Sequence, residues 1–285
     1  MATAQTRFFG EPTGTSVEVV TSGRTIRPLF ALPTELVDEA TLTFDADGLH
    51  TRAVDPANVG LVELHAYPAA FEDYRVDGDD ELTLGTNLGK LTSSLSDARL
   101  GKRTDDPVTL DLDATRTLVS IEREYDTTTL SKTDEVLNID PSSVRERPDV
   151  PDMRLAYRAD IDVEAFVDAV AYIGNEHVEL AEHDGHLVLS GYPRDDDETG
   201  TRVDAGDIAE PAAGEPNPGA SSVYSMDYLS DFTSGLKAGK VTSLSLRWGD
   251  QFPLYMEFER RTDDDLLYEG RYMLAPRIAD SGGDD

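Results

Sequence analysis

The sequence predicts an α+β fold of two similar domains. Each domain holds two helix-plus-hairpin repeats, and an extended connector joins them. Three observations carry that expectation. Short stretches with one apolar face recur along the chain, each followed by two alternating segments about a tight turn. A proline-rich stretch with few apolar residues falls near the middle, at 139–153. At 285 residues the chain can bury one large core or two of ordinary size.

Residues 1–16 precede the pattern and read as an N-terminal extension. The first domain is expected over 17–138. Its first helix should fall in "SGRTIRPLFALPTELVDE", where Pro28 suits an opening turn and Pro33 an interruption. "ATLTFDADGLHTRAVD" follows, two alternating runs about Asp47-Gly48, a strong hairpin signal. "RAVDPANVGLVEL", residues 52–64, begins like a strand and turns at Asp55-Pro56-Ala57-Asn58. It resumes alternation at Val59, Leu61 and Leu64. Such an apolar setting leaves two readings, a bend in a sheet or the floor of a binding surface. In "NLGKLTSSLSDA", Leu88, Leu91 and Leu95 are spaced three and four apart, so they share one helix face. Its hairpin, "VTLDLDATRTLVSIERE", turns near Asp113-Ala114.

The connector "IDPSSVRERPDVPDM" holds three prolines and reads as an extended linker. The second domain is expected over 154–279, with 280–285 as a flexible tail. In "DIDVEAFVDAVAYIG", Val163, Phe166, Val167 and Val170 share a face and Gly174 is the expected stop. "VELAEHDGHLVLSG" turns at Asp184-Gly185. The fourth helix, "SMDYLSDFTSGLKAG", aligns Leu229, Phe232 and Leu236, with Ser225 as N-cap and Asp227 in the first turn. "TSLSLRWGDQFPLYMEFER" turns near Gly249-Asp250, and 210–222 is a loop by composition.

Composition excludes several chemistries. The chain has no cysteine, so disulfides, thiolate metal sites and thiol nucleophiles are ruled out. No run of 18 apolar residues is present, and the start lacks a basic-then-apolar leader, so a cytoplasmic protein without membrane partners is expected. Acidic residues number 57 against 25 basic, a net charge of -32. Only five of the basic residues are lysines: 90, 102, 132, 237 and 240. Such a balance ordinarily argues against nucleic-acid binding. The acids, however, are spread over the whole chain, which favours adaptation to molar salt, as in halophilic archaea or their viruses. Net charge then says little about partners.

His177, His183 and His186 surround one hairpin, and three histidines can hold zinc. Strand alternation puts His177 and His183 on one face and His186 past the turn, so the better reading is an exposed hairpin and no metal. Carboxylate pairs are expected by chance in so acidic a chain. A Gly-rich phosphate loop, a nucleophile elbow and a His-Glu zinc motif are all missing. No enzyme and no cofactor are expected.

Three motifs in register carry a resemblance. "LVDEATLTFDADGLHTRAVDPANVGLVEL", the connector, and the terminal "YMLAPRI" together resemble archaeal sliding DNA clamps of the proliferating cell nuclear antigen family, over residues 17–279. The resemblance implies a pair of similar α+β domains per subunit. Three subunits close head to tail into a homotrimeric ring, with helices lining the hole and sheets outside. It implies a processivity factor that encircles double-stranded DNA and docks DNA polymerase, the clamp loader and other proteins through peptides carrying a Gln and two aromatics.

For the peptide pocket it implies Val54, Asn58 and Leu61 from the first motif and Pro148 and Val150 from the connector. Pro253 and the terminal Met273, Leu274, Ala275 and Pro276 complete it. Small apolar groups beside proline-fixed backbone suit an aromatic anchor, though Val54, Leu61 and Leu274 read equally well as sheet core. Facing DNA it implies Arg24 and Arg27, then Lys90 with Arg99, Lys102 and Arg103, then Lys237 and Lys240. The third helix departs from the pattern and carries Asp162, Glu164 and Asp168 instead. Subunit edges are implied near Thr129–Leu137, with Leu130, Lys132 and Val136, and near Thr199–Gly206, with Thr201 and Val203. The weak basicity leaves a second reading, a specialised clamp-like scaffold that recruits partners without stably encircling DNA.

Overall fold

The computed structural model describes residues 14–78, 81–100, 105–145, 157–192, 202–207 and 220–277. The described chain divides into two compact units. The first takes residues up to 53, 63–147 and 261–269, and the second 54–62, 148–260 and from 270 onward.

In the first unit, β1 (Ser16–Ser22) runs straight into helix α1 (Gly23–Thr34). The hairpin β2 (Glu39–Asp45) and β3 (Gly48–Val54) follows, then β4 (Gly60–Ala66) and β5 (Asp73–Asp77). The pattern then repeats: β6 (Leu82–Asn87), α2 (Leu88–Leu95), β7 (Pro107–Asp113), β8 (Arg116–Tyr125) and β9 (Thr128–Leu137). One sheet has the order β5-β1-β7-β8-β9, all antiparallel. The other runs β6-β2-β3 and continues into Glu63–Ala66 of β4. Helices α1 and α2 pack side by side, and α2 touches strands of both sheets. Leu88, Leu91 and Leu95 are buried, as their spacing predicts. Asn87 caps α2 by accepting from the Lys90 amide at 2.9 Å.

Helix α1 differs from its expectation. It continues through both Pro28 and Pro33. Each interior proline lacks an amide donor and costs a helix about 3 kcal/mol. Ile26, Leu29, Phe30 and Leu32 are all buried here, at about 1.5–3 kcal/mol each, and outweigh that cost. The connector also departs from a free linker at its start. Ile139 exchanges backbone hydrogen bonds with Gly85 of β6 at 2.8 and 2.9 Å, and Pro141–Ser143 form a 3-10 turn capped by Asp140. A Cβ on Gly85 would stand 2.6 Å from Val144 and 2.8 Å from the Ile139 carbonyl, so this docking requires glycine.

The second unit repeats the order. It holds β10 (Tyr157–Ile161), α3 (Val163–Ala171), β11 (His177–His183), β12 (His186–Tyr192) and β13 (Arg202–Asp207). After these come β14 (Ser221–Ser225), α4 (Met226–Ala238), β15 (Ser243–Trp248), β16 (Leu254–Arg261) and β17 (Leu266–Leu274). One sheet has the order β13-β12-β11-β14; the other runs β10-β15-β16 and continues into Gly270–Leu274 of β17. Helices α3 and α4 pack together. Leu229, Phe232 and Leu236 are buried as expected. On α3, Phe166 and Val170 are buried, but so is Ala169, while Val163 and Val167 are only half-buried.

Asp162 caps α3 through the Ala165 amide, and the helix ends at Ala171 with Tyr172 as its C-cap, ahead of Gly174. Ser225 stands at the N-cap of α4 but makes no side-chain cap bond. Asp184 and Gly185 both take left-handed φ, 53° and 85°, the two-residue hairpin loop that Asp-Gly predicts. The core is aromatic: Phe232 stacks on Tyr272 at 4.3 Å, Tyr272 meets Phe258 at 5.2 Å, and Tyr157 stacks on Trp248 at 5.5 Å.

Candidate functional site: a loop-and-tail surface and two helix pairs

The turn inside "AVDPANV" is organised by one buried carboxylate. Asp55 is 3% exposed. Its Oδ1 accepts from the Val59 and Gly60 amides, both at 2.7 Å, and its Oδ2 from the Ala57 amide at 2.8 Å and the Tyr228 hydroxyl at 2.6 Å. Burial works to raise the pKa of this group. The Tyr228 bond and the three amides outweigh it and hold the carboxyl below its ordinary value. Asn58 completes the turn with a φ of 58° and stands exposed. The loop in turn holds the C-terminal segment through the Ala275 amide, which donates to the Val59 carbonyl at 2.8 Å, and β14 holds its end through the Arg277 amide, which donates to the Val223 carbonyl at 2.7 Å. Beside it, Tyr224 donates to the Phe252 carbonyl at 2.8 Å and fixes the turn carrying Pro253.

The predicted pocket residues separate by burial. Asn58 is exposed, and Pro253, Met273, Ala275 and Pro276 are half-buried, so each offers surface to a ligand. Leu61 and Leu274, at 1% and 0%, are sheet core, and Val54 is nearly so. Buried side chains of this kind offer no surface to a ligand. Pro148 and Val150 lie outside the described residues. Sequence reading missed Asp55, Tyr228 and Phe252, an exposed aromatic next to Pro253.

The basic positions also separate. Arg24 is exposed, with its guanidinium 2.8 Å from Asp105. Arg27 donates to the Ala98 carbonyl at 3.3 Å. Arg99 lies over the Tyr125 ring at 5.6 Å and donates to its hydroxyl at 3.0 Å. These three arginines are thus engaged inside the first unit, around a segment also tied by Arg123 and Asp106 at 2.8 Å. Burial tends to raise the pKa of Asp106, but the Arg123 bond, the Arg99 amide and both guanidinium charges hold it below the ordinary range. Lys90 and Lys237 are exposed and, among the described residues, have no ion-pair partner; Lys240 is exposed as well. Lys102 and Arg103 lie outside the described residues. Helix α3 exposes Glu164 and Asp168, with Tyr172 67% exposed at its end.

Both predicted edges fall at the end of a sheet, β9 in the first unit and β13 in the second. On β9, Leu130 and Leu137 are 53% and 69% exposed. Lys132 is tied to Asp97 and to Asp134 of its own chain. Val136 is buried and belongs to the core, because its side chain alternates inward. Val203 sits on β13 opposite Leu189, and Thr201 lies outside the described residues. The three hairpin histidines do not converge. His183 and His186 face each other across the turn, and His177 stands at the far end of β11. Among the described residues no group of His, Asp or Glu is placed to hold a metal ion.

Duplicated units of paired helices backed by sheets, each ending in an open strand edge, define the clamp class of α+β proteins. A model of the proliferating cell nuclear antigen N-terminal domain matches residues 20–141. The DNA polymerase sliding clamp of Natronomonas pharaonis is 33% identical over 247 residues, covering 85% of this chain and 91% of that one. That of Haloarcula marismortui is 33% identical over 267 residues, covering 91% and 97%. Among solved structures, the C-terminal region of FEN-1 bound to A. fulgidus PCNA aligns with a TM-score of 0.72 at 25% identity, covering 93% of this chain and all of that one. The chain belongs to the DNA polymerase sliding clamps, the proliferating cell nuclear antigen family.

Proposed function

We propose that three copies of this chain form a ring around duplex DNA and act as a polymerase processivity factor and docking platform, without chemistry of their own. The observation that supports this most is the duplicated helix-pair unit, which runs over the same length as its haloarchaeal clamp relatives. The two clamp domains run over 17–138 and 154–279, except that 54–62 group with the second and 261–269 with the first. β9 of one copy pairs with β13 of the next, with Leu130 and Leu137 at the contact. Helices α1 to α4 face DNA, with Lys90, Lys237 and Lys240 as the outward cations and Arg24, Arg27 and Arg99 as partly neutralised ones. The clamp loader, DNA polymerase and other replication or repair proteins dock peptides carrying a Gln and two aromatics on the surface of Asn58, Pro253, Met273, Ala275 and Pro276. The protein works in the cytoplasm, on the nucleoid, and needs no cofactor.

The acidic face of α3 favours a second reading, a clamp-like scaffold that recruits partners without stable encirclement. Phosphate contacts lose affinity steeply with salt, so a hole with few cations grips DNA poorly in brine. A closed ring needs no grip, because topology retains it. The expected outcome is almost no binding to short linear duplex at molar KCl, but long retention on nicked circular DNA after loading. Linearising the circle releases the protein. Equal loss from circle and line sinks encirclement and leaves the scaffold.

A further inference from the structure

Helix α4 reaches the loop-and-tail surface by two separate contacts. Tyr228 in its first turn donates to Asp55 at 2.6 Å. One turn on, Phe232 stacks on Tyr272 at 4.3 Å with the rings 7° from parallel. Tyr272 lies in the strand that leads directly into Met273–Pro276. The two aromatics of α4 also meet each other, with centroids 6.4 Å apart, edge to face. One helix therefore holds the loop through a hydroxyl and the C-terminal segment through a ring. Loop and segment are joined in turn by the Ala275–Val59 bond.

The hydroxyl is the part of this arrangement that packing does not explain. A Phe at 228 fills the same space against Phe232. Asp55, however, is almost wholly buried and carries the loop's only carboxylate. Three amides satisfy part of its acceptor capacity, and the phenol supplies the fourth donor. A buried carboxylate short of a donor draws in water or shifts, and the amides it organises shift with it.

We infer that Tyr228 is a positioning residue for partner docking: its hydroxyl, donated to Asp55, sets the backbone of residues 57–60. Through the Val59 carbonyl it sets Ala275 as well, so α4 and the docking surface move as one body. The inference rests on the docking reading above. It adds that an event on α4, such as contact with a phosphate backbone, reaches the docking loop directly through this hydrogen bond.

The test compares the full chain with Tyr228→Phe and Met273→Glu, each checked for unchanged far-ultraviolet circular dichroism and assembly mass. Two readouts are taken: amide hydrogen exchange at Ala57, Val59, Gly60 and Ala275, and affinity for a fluorescent peptide carrying a Gln and two aromatics. The Phe variant is expected to exchange those amides about tenfold faster and bind the peptide about tenfold more weakly, the scale of one hydrogen bond to a charged group. Exchange elsewhere in α4 stays unchanged. Equal exchange and equal affinity in Tyr228→Phe, with Met273→Glu failing to bind, overturn the tether and leave the docking surface intact. Peptide binding unaffected by Met273→Glu overturns the docking reading instead, and the exchange data then decide the tether alone. A measurement on the unmodified chain guards against a variant that does not fold. The Tyr228 hydroxyl proton is expected to resist solvent exchange by nuclear magnetic resonance, and a freely exchanging phenol overturns the tether.

Discussion

At the scale of single residues, Asp111 behaves opposite to Asp55. It stands on β7 directly across from Glu18 of β1, and its Oδ2 is buried without a hydrogen-bond partner among the described residues. Burial first, and the Glu18 charge second, push its carboxyl up to about 6. The folded state therefore holds this proton more tightly than the unfolded chain does. The group costs stability above pH 6, and the cost disappears as pH falls from about 6 toward the unfolded value of 3.8. Asp111→Asn is expected to stabilise the protein at pH 7.5 by about 1 kcal/mol, a figure discounted for partial exposure. The variant also loses the gain seen between pH 7 and pH 4. Urea midpoints at pH 7.5 and 4.5 check both; a variant no more stable at pH 7.5 refutes the assignment. Neither aspartate's role was legible in the sequence. In so acidic a chain one Asp looks like another, and the partner that distinguishes Asp55 lies 173 residues away. Asn58, Pro253, Met273, Ala275 and Pro276, which motif resemblance singled out, all reach the surface. Leu61 and Leu274 take the sheet-core alternative, and Val136 is buried rather than at an edge surface, because motif position does not say which side of a strand faces inward.

At the scale of elements, the apolar spacing of α2 and α4 and the Asp-Gly turns were sufficient to place helices and hairpins. The strand before each helix was not foreseen, because β1, β6 and β14 pass into helix with no intervening turn residue. Helix α1 was only half legible, since a local rule about proline yields to burial of a whole face. The β2–β3 hairpin shows where a local rule does hold. Gly48 has a φ of 130°, and a Cβ there would lie 2.1 Å from the Ala66 carbonyl of β4. Two independent constraints, backbone conformation and close approach, require glycine at this point. Gly48→Ala is expected to cost more than about 2 kcal/mol. Gly185→Ala, at a φ of 85° but with nothing within 4 Å of its Cβ, is expected to cost about half as much. Thermal melts of the two variants compare them, and equal losses refute the close-approach term.

At the scale of the whole molecule, among the described residues β9 ends one sheet of each copy and β13 ends a different one. Pairing unlike edges is heterologous and ends only when the rotation closes. In molar KCl, light scattering is expected to give three times the 31.1 kDa subunit mass at micromolar protein. Leu130→Asp places a charge on the exposed apolar part of β9 and is expected to shift the mass toward the monomer. A monomeric unmodified chain under those conditions removes the homotrimer. The net charge of -32 makes closure harder in dilute buffer, where like charges repel over about 10 Å or more, than in 1 M salt, where the range is about 3 Å.

The same shortening of electrostatic range bears on the Asp55 turn. Every donor to that carboxylate is neutral: three peptide amides and a phenol. Ion pairs such as Arg24–Asp105 stand in reach of solvent and weaken as potassium and chloride crowd in. Dipoles locked around a buried oxygen pair are screened far less. The turn is therefore expected to hold its shape from fresh water to brine better than one built on ion pairs, and on the docking reading proposed above a partner's peptide would meet the same contour whatever the cell's osmotic state.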